Sequence, residues 1–312
     1  MGEFETKLRE ALGADLQVNV SLKPFVSFGT GGVAEFFYIA KGVDDLVRAI
    51  TTAYDLKIPY FVLGGGYNVL PSDKGVPGLV IKNECANIAF SDTSQVIVDS
   101  GMPLGRLINL AASREFGGLE FLFGVPGTVG GAVYGNAGAF SYEIGDFVKS
   151  VIVLMQKEGK MAIVKKTPEW MEFEYRSSRL KKEFSENKFK PVILTVKLQL
   201  ARRRRDEILS IMQSNLKKKQ AGQPLKEKCA GSFFKNPGFS PEMSAGYLLD
   251  KSGAKRMKVG DAAVSSKHAN FLINKKNATS EEIKNLADNL KQKVQSDFSI
   301  NLEEEIEYIG KW

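Results

Sequence analysis

Gly124-Val125-Pro126-Gly127-Thr128-Val129-Gly130-Gly131 places four glycines in eight residues, and the chain runs on into Asn136-Ala137-Gly138-Ala139. An earlier segment has the same character. In Val62-Leu63-Gly64-Gly65-Gly66-Tyr67-Asn68-Val69-Leu70 a short apolar run feeds directly into three glycines. Glycine reaches positive φ and carries no Cβ, so main-chain N–H groups can approach a ligand closely. Two such loops can form nests that bind a diphosphate through main-chain donors. The same residues also suit tight turns in a glycine-rich fold, and Asn136 suits a turn as well as a ligand. Neither loop is a common nucleotide fingerprint, since no GxGxxG follows a strand and no GxxxxGK[ST] occurs.

The flanks of these loops alternate between helix and strand patterns. Residues 43–56 carry an apolar stripe at Val43, Leu46, Val47, Ile50 and Tyr54, with Asp44 and Asp45 where a helix start favours acid. Residues 60–63, 79–81 and 96–98 read as strands. Residues 104–116 read as a helix ended by Gly117-Gly118. The stretch 124–145 has little helix or strand pattern. Strands are expected at 150–155, 161–164 and 192–200. A helix opened by the basic run 202–205 extends to 219, with a domain boundary near 201. In the last hundred residues, 241–251 and 280–297 read as helices, the second with Ser280 as N-cap. Residues 269–273 and 305–309 read as strands, and alternation puts Glu305, Glu307 and Ile309 on one face.

The chain has 312 residues, 43% apolar and 25% charged, which suits two or three packed units and excludes disordered, collagen-like and disulfide-scaffold classes. Its net charge is +7, and residues 201–230 hold nine basic side chains against three acidic ones. That one stretch therefore supplies six of the seven charges. Its placement suits attraction of anionic small molecules, while Arg203 and Arg204 suit a solvated helix face. Cys85 and Cys229 form no CxxC pair and there is one histidine, so a Cys/His zinc site is excluded. His268 reads as structural. With no signal-like start and no run of about 18 apolar residues, a soluble cytoplasmic protein without membrane insertion is expected.

Three further segments carry candidate chemistry. Gly231-Ser232-Phe233-Phe234-Lys235-Asn236-Pro237 combines a hydroxyl, a cation and an amide with two aromatics. Ser232 has neither a nearby histidine nor a GxSxG elbow, which argues against a triad nucleophile and leaves a proton donor or a surface turn. In Tyr175-Arg176-Ser177-Ser178-Arg179, Arg176 could fork onto a carboxylate or phosphate, or cover a surface. Glu303-Glu304-Glu305 reads as a solvated acidic run unless Glu305 faces inward.

Taken together, in order, these segments resemble the UDP-N-acetylenolpyruvoylglucosamine reductase (UDP-N-acetylmuramate dehydrogenase) family of peptidoglycan synthesis. The resemblance rests on SFGTGG (27–32), VLGGGYNVL (62–70), GLEFLFGVPGTVGGAVYGNAGAF (118–140), YRSS (175–178), GSFFKNP (231–237), AGYLLDKSG (245–253), VSSKHANFLIN (264–274) and LEEEIEYIG (302–310). It implies an α+β chain: a vanillyl-alcohol-oxidase-type, two-lobed FAD-binding domain and a separate α+β substrate domain. The lobes would be 1–82 and 83–201, with the C-terminal strand 302–312 returning to the second, and 202–301 would bind substrate.

The resemblance further implies non-covalent FAD, NADPH as co-substrate and the enolpyruvyl ether of UDP-N-acetylglucosamine as substrate, handled by a monomer that binds no nucleic acid. FAD would be held by Gly64, Gly65, Gly66, Tyr67, Asn68, Pro126, Gly127, Thr128, Gly130, Gly131, Asn136 and Gly138. Hydride would pass from flavin N5 to C3, and Ser232 would protonate C2. Arg176 and Glu305 would stabilise the enolate-like charge, Glu305 as a hydrogen-bond donor. Tyr175, Lys235 and Asn236 would contact substrate. The short charged stretch between Arg176 and Val192 looks like the shorter branch of the family, without a substrate-clamping tyrosine loop. Tyr67 stands where serine is usual, and Arg256 where glycine is usual. Two other readings compete: a flavin oxidase of another alcohol or enol, which GSFFKNP and the Glu305 segment disfavour, and a basic nucleic-acid module at 202–219, which lacks interleaved aromatics.

Overall fold

The computed structural model describes residues 2–183 and 189–312. The chain divides into two compact units. One comprises Met1–Val18, Glu35–Gly65 and Gly78–Lys217, the other Asn19–Ala34, Gly66–Pro77 and Lys218–Trp312.

In the first unit the helix Val43–Asp55 forms where its apolar stripe predicts, and Leu46, Ala49, Ile50 and Ala53 are its buried face. It belongs to a core with Leu8, Leu12, Tyr60, Leu79 and Ile81. Tyr60–Leu63 runs parallel to Val76–Asn83, Tyr60 opposite Leu79, in a four-stranded sheet. A second, five-stranded antiparallel sheet has the order Lys160–Lys166, Val148–Lys157, Val192–Gln199, Gln95–Asp99, Ile88–Phe90. Its buried residues Val96, Val98, Val151, Val153 and Val196 join Leu107, Ile108 and Val133 in a separate core.

Two expected boundaries move in this unit. The helix predicted over 104–116 covers Leu104–Ala112. Glu115 then turns at φ 59, and Phe116 pairs with Arg202 in a short two-stranded bridge. Gly117 therefore belongs to a strand, opposite Ala201, and Gly118 follows it, so neither caps a helix. Within 124–145, Val129–Tyr134 forms a short helix, because the Thr128 hydroxyl accepts from the Gly131 N–H at 3.3 Å and caps it.

In the second unit, Lys258–Val259, Ala262–Val264 and Leu272–Asn274 form an antiparallel sheet. The helices Ala245–Lys251 and Ser280–Phe298 pack on it through Leu248, Leu249, Ile283, Leu286 and Leu290. The N-cap of the long helix is Thr279 rather than Ser280. Its hydroxyl accepts from Glu282 N at 3.1 Å while the Glu282 carboxylate accepts from Thr279 N at 3.1 Å. Asp73 adds a second cap, accepting from Ser280 N and Glu281 N at 3.1 and 3.0 Å.

The basic helix runs Arg205–Gly222. Ile208 and Met212 pack into a first-unit core, so the compact units part between Lys217 and Lys218 rather than near 201. The terminal strand is Glu307–Ile309, and it runs parallel to Val69–Pro71 rather than returning to the 83–201 segment. Hydrogen bonds from Glu307 N to Asn68 O and from Ser72 N to Ile309 O, 2.9 and 2.8 Å, fix that register. Glu305 precedes the strand, so face alternation does not place it. Arg256 lies in a regular 3-10 turn, Ala254–Arg256, while positive φ falls on Gly253, which is why an arginine is accommodated there. The short charged stretch after Arg176 includes residues 184–188, which lie outside the described residues.

Candidate active site

In the first unit the two glycine loops approach each other. A Cβ on Gly64 would come within 2.6 Å of Thr128 Oγ1, and the Gly64 carbonyl accepts from the Lys82 ammonium. Burial lowers the pKa of that lysine. Gly127 holds φ 127, a conformation closed to other residues, and nothing lies within 4 Å of a Cβ built there. The Gly65 N–H donates to no acceptor among the described residues. Open backbone at Gly127 and an uncommitted N–H at Gly65 are what a flavin diphosphate requires, so these loops fit FAD.

Other expected cofactor contacts are committed within the protein. Gly130 N donates to Ser100 O at 2.7 Å and Gly131 N to the Thr128 hydroxyl, so neither N–H is available to a diphosphate. Asn136 is 1% exposed. Its side-chain amide donates to Glu143 Oε2 at 2.6 Å and Glu174 O at 2.9 Å, and its Oδ1 accepts from Gly145 N at 3.0 Å. It acts as an internal clamp. Pro126 is exposed beside Gly127.

The same clamp brings Arg176, Tyr175 and Gly138 together. Arg176 sits at φ 54 in a turn closed by Glu174 N to Ser177 O at 3.1 Å and Ser177 N to Glu174 O at 3.0 Å. Its Nη2 donates to Gly138 O at 2.7 Å, Nη1 lies 3.8 Å from Glu143 Oε1, and Cζ lies 4.9 Å from the Tyr175 ring centre.

In the second unit the GSFFKNP segment is zipped to the acidic run. Glu305 N donates to Phe233 O and Lys235 N to Glu303 O, each at 2.8 Å. Asn270 clamps the other side. Its carbonyl accepts from Phe233 N at 2.8 Å, its Oδ1 from Phe234 N at 2.9 Å, and its amide donates to Phe234 O at 2.8 Å. Phe233 and Phe234 are 0% and 1% exposed. Phe28 meets Phe233 edge-on. Ser232 and Glu305 are thereby brought close, both half-buried. The Ser232 hydroxyl takes no protein partner among the described residues. Asn68 joins them, its amide donating to Glu305 O at 3.1 Å.

Gly66 holds φ 73, where a Cβ would fall 1.9 Å from Phe25 O, and Tyr67 is 43% exposed. The N–H groups of Gly66 and Tyr67 donate to no acceptor among the described residues. Lys235 pairs with Glu303, and Asn236 Oδ1 accepts from Ala245 N at 3.1 Å, at the start of the helix that Ser244 caps. His268 is structural, its Nδ1 accepting from Asn270 N at 3.2 Å.

The basic stretch is less open than its charge count suggests. Arg203 and Arg204 both precede the helix, which begins at Arg205. Arg203 is part-exposed and pairs with the buried Glu120 at 2.9 Å, while Arg204 is solvated and pairs at the surface with Asp206. Arg202 stacks 4.6 Å from the Phe116 ring centre. Burial pushes the Lys219 ammonium down to about 8. Glu143, Lys82, Glu120 and Asn270 carried no role in the sequence reading. Asn270 and Glu120 stood inside quoted motifs without a role of their own, while Lys82 and Glu143 lay outside them.

Residues 34–165 match the FAD binding domain family, and residues 223–309 match the C-terminal domain of UDP-N-acetylenolpyruvoylglucosamine reductase. The chain is 37% identical to the UDP-N-acetylenolpyruvoylglucosamine reductase of Acaryochloris marina, over 96% of this chain and 94% of that one. It is 35% identical to that of Clostridium novyi, over 99% and 97%. The crystal structure of the Thermus caldophilus reductase superposes with a TM-score of 0.76 at 34% identity, over 94% of this chain and 99% of that one. Among the described residues no helix is long and apolar enough to cross a membrane.

Proposed function

The chain belongs to the UDP-N-acetylenolpyruvoylglucosamine reductase family, and on that premise we propose that it reduces the enolpyruvyl ether of UDP-N-acetylglucosamine to UDP-N-acetylmuramate. It is an FAD-dependent oxidoreductase of peptidoglycan precursor synthesis with NADPH as reductant. Bound FAD supplies hydride transfer, taken from NADPH and delivered to C3 of the enolpyruvyl group.

The protein's share is charge and a proton. Hydride addition at C3 places negative charge on C2 and the attached carboxylate. Arg176 meets that carboxylate with a fixed charge, and Glu305 hydrogen-bonds it as a donor. Ser232 Oγ–H gives its proton to C2, completing addition of H⁻ and H⁺ across the double bond. A donor of intrinsically high pKa suits a strongly basic carbanion. In this reading the glycine loops serve the flavin, Tyr175, Lys235 and Asn236 contact the UDP-sugar, and the enzyme works as a cytoplasmic monomer.

The observation that carries the proposal is the Ser232 hydroxyl, half-buried and without a protein partner among the described residues, on a segment registered to Glu305 by main-chain hydrogen bonds. The test is Ser232→Ala with each half-reaction followed separately by flavin absorbance. NADPH should bleach the flavin at the wild-type rate, while reoxidation by the enolpyruvyl substrate should slow by about 10³-fold. Equal slowing of both halves would reject Ser232 as the acid.

A further inference from the structure

Arg176 is a non-glycine residue at φ 54, and Asn136, which holds its turn, sits at φ 45. Such backbone persists only where surroundings over-determine it. Here the over-determination converges on one carboxylate. Glu143 Oε2 accepts from the Asn136 amide at 2.6 Å, and Glu143 Oε1 lies 3.8 Å from Arg176 Nη1. The Glu143 main chain pairs with Gly138, whose carbonyl accepts from Arg176 Nη2. Through Asn136, Glu143 is also tied to the Glu174 carbonyl that closes the Arg176 turn. At 3.8 Å Glu143 Oε1 borders the guanidinium at van der Waals rather than hydrogen-bond distance, so the contact orients the group by shape as well as by charge.

We propose that Glu143 is a positioning residue for the reduction half of the cycle, aiming the Arg176 guanidinium by bridging it to Asn136. The proposal rests on the reading that Arg176 meets the substrate carboxylate.

Charge and geometry make opposite demands on Glu143, and that separates them. A carboxylate beside Arg176 weakens the local field for an anionic substrate. If only charge mattered, Glu143→Gln would lower KM and Glu143→Asp would change little. If the bridge matters, Gln still accepts from Asn136 and spans the gap, whereas Asp is one methylene short of reaching both partners.

The experiment compares Glu143→Asp, Glu143→Gln, Arg176→Ala and the double variant Glu143→Asp with Arg176→Ala, all as holoenzymes with FAD occupancy measured. Flavin reduction by NADPH should match wild type in Glu143→Asp and Glu143→Gln. Reoxidation by UDP-N-acetylglucosamine enolpyruvate should slow about tenfold in kcat for Glu143→Asp and stay within about threefold for Glu143→Gln. In the Arg176→Ala background Glu143→Asp should add nothing, the signature of residues acting as a unit. The reverse ranking of Asp and Gln, or a full additional loss in the double variant, overturns the proposal. Wild-type reoxidation by Arg176→Ala would instead remove Arg176 from the mechanism, a separate failure.

Discussion

Arg176 and Ser232 stand on segments held by different physics. Arg176 is fixed by side chains. Asn136, Glu143 and the guanidinium itself tie a positive-φ turn to the glycine loop. Ser232 sits on a segment fixed by main chain, with Phe233, Lys235 and Glu305 in a hydrogen-bonded register and two buried aromatics beneath. A main-chain register tolerates substitution at its surface positions but depends on the core that seats it. A side-chain clamp is the reverse, since it depends on the buried Asn136 amide.

The largest effect expected from that contrast is at Phe233. Phe233→Ala empties a fully buried site that Phe28 and Phe234 pack against, and should destabilise the protein by about 4 kcal/mol in chemical denaturation. Lys235→Ala, two residues away, removes only an ion pair whose glutamate is 72% exposed and should cost under about 1 kcal/mol. Comparable losses at both positions would break the idea that the core holds this segment.

Asn136→Ala comes next, at about 3 kcal/mol. It removes three hydrogen bonds made by a side chain that is itself buried, and the Gly145 N–H loses its acceptor. Urea unfolding should report that loss, and substrate-driven flavin reoxidation, measured without urea, should also slow because the Arg176 turn loses its anchor. A stable, fully active Asn136→Ala would mean the turn holds itself.

This difference also explains what could be read from sequence. The helix Val43–Asp55 was legible because it buries one face and burial leaves a period in the residues, and the strands Tyr60–Leu63 and Val192–Gln199 were legible as short apolar stretches. The family motifs marked Ser232, Arg176 and Glu305, although no period did. What stayed hidden was the pairing of Glu143 with Asn136 and Arg176, and of Glu120 with Arg203, 83 residues apart in the chain. A clamp between loops has no period. Thr128 and Asn136 were legible as special residues, but the chain uses Thr128 as a helix cap and Asn136 as a clamp.

A smaller effect tests how the second unit is assembled. Asp73 accepts from two N–H groups at the start of Ser280–Phe298, where a carboxylate also complements the helix dipole. Because Thr279 and Glu282 still cap that helix, Asp73→Ala should lose only about 1 kcal/mol. A loss as large as that at Asn136 would show that the main-chain-held region also hangs on one side chain.

The smallest effect concerns the one histidine. His268 Nδ1 accepts from the N–H of Asn270, the residue that clamps Phe233 and Phe234, and its ring packs edge-on to Phe271. Burial, with a lesser contribution from Lys255, lowers its pKa below the ordinary 6.5. Protonation would also convert the acceptor nitrogen into a donor facing a donor. The sign follows from linkage: below pH 6.5 the unfolded chain takes up a proton that the native chain refuses. His268 therefore lowers stability progressively as pH falls from 6.5 through the native pKa, and has no effect above that window. With a single histidine, one imidazole resonance reports the native value in an NMR titration. It should titrate below 6.5, and His268→Gln should flatten the acid side of the stability profile. A midpoint at or above 6.5 would mean that Asn270 is held without the neutral ring, leaving the main-chain register as the whole support of Ser232.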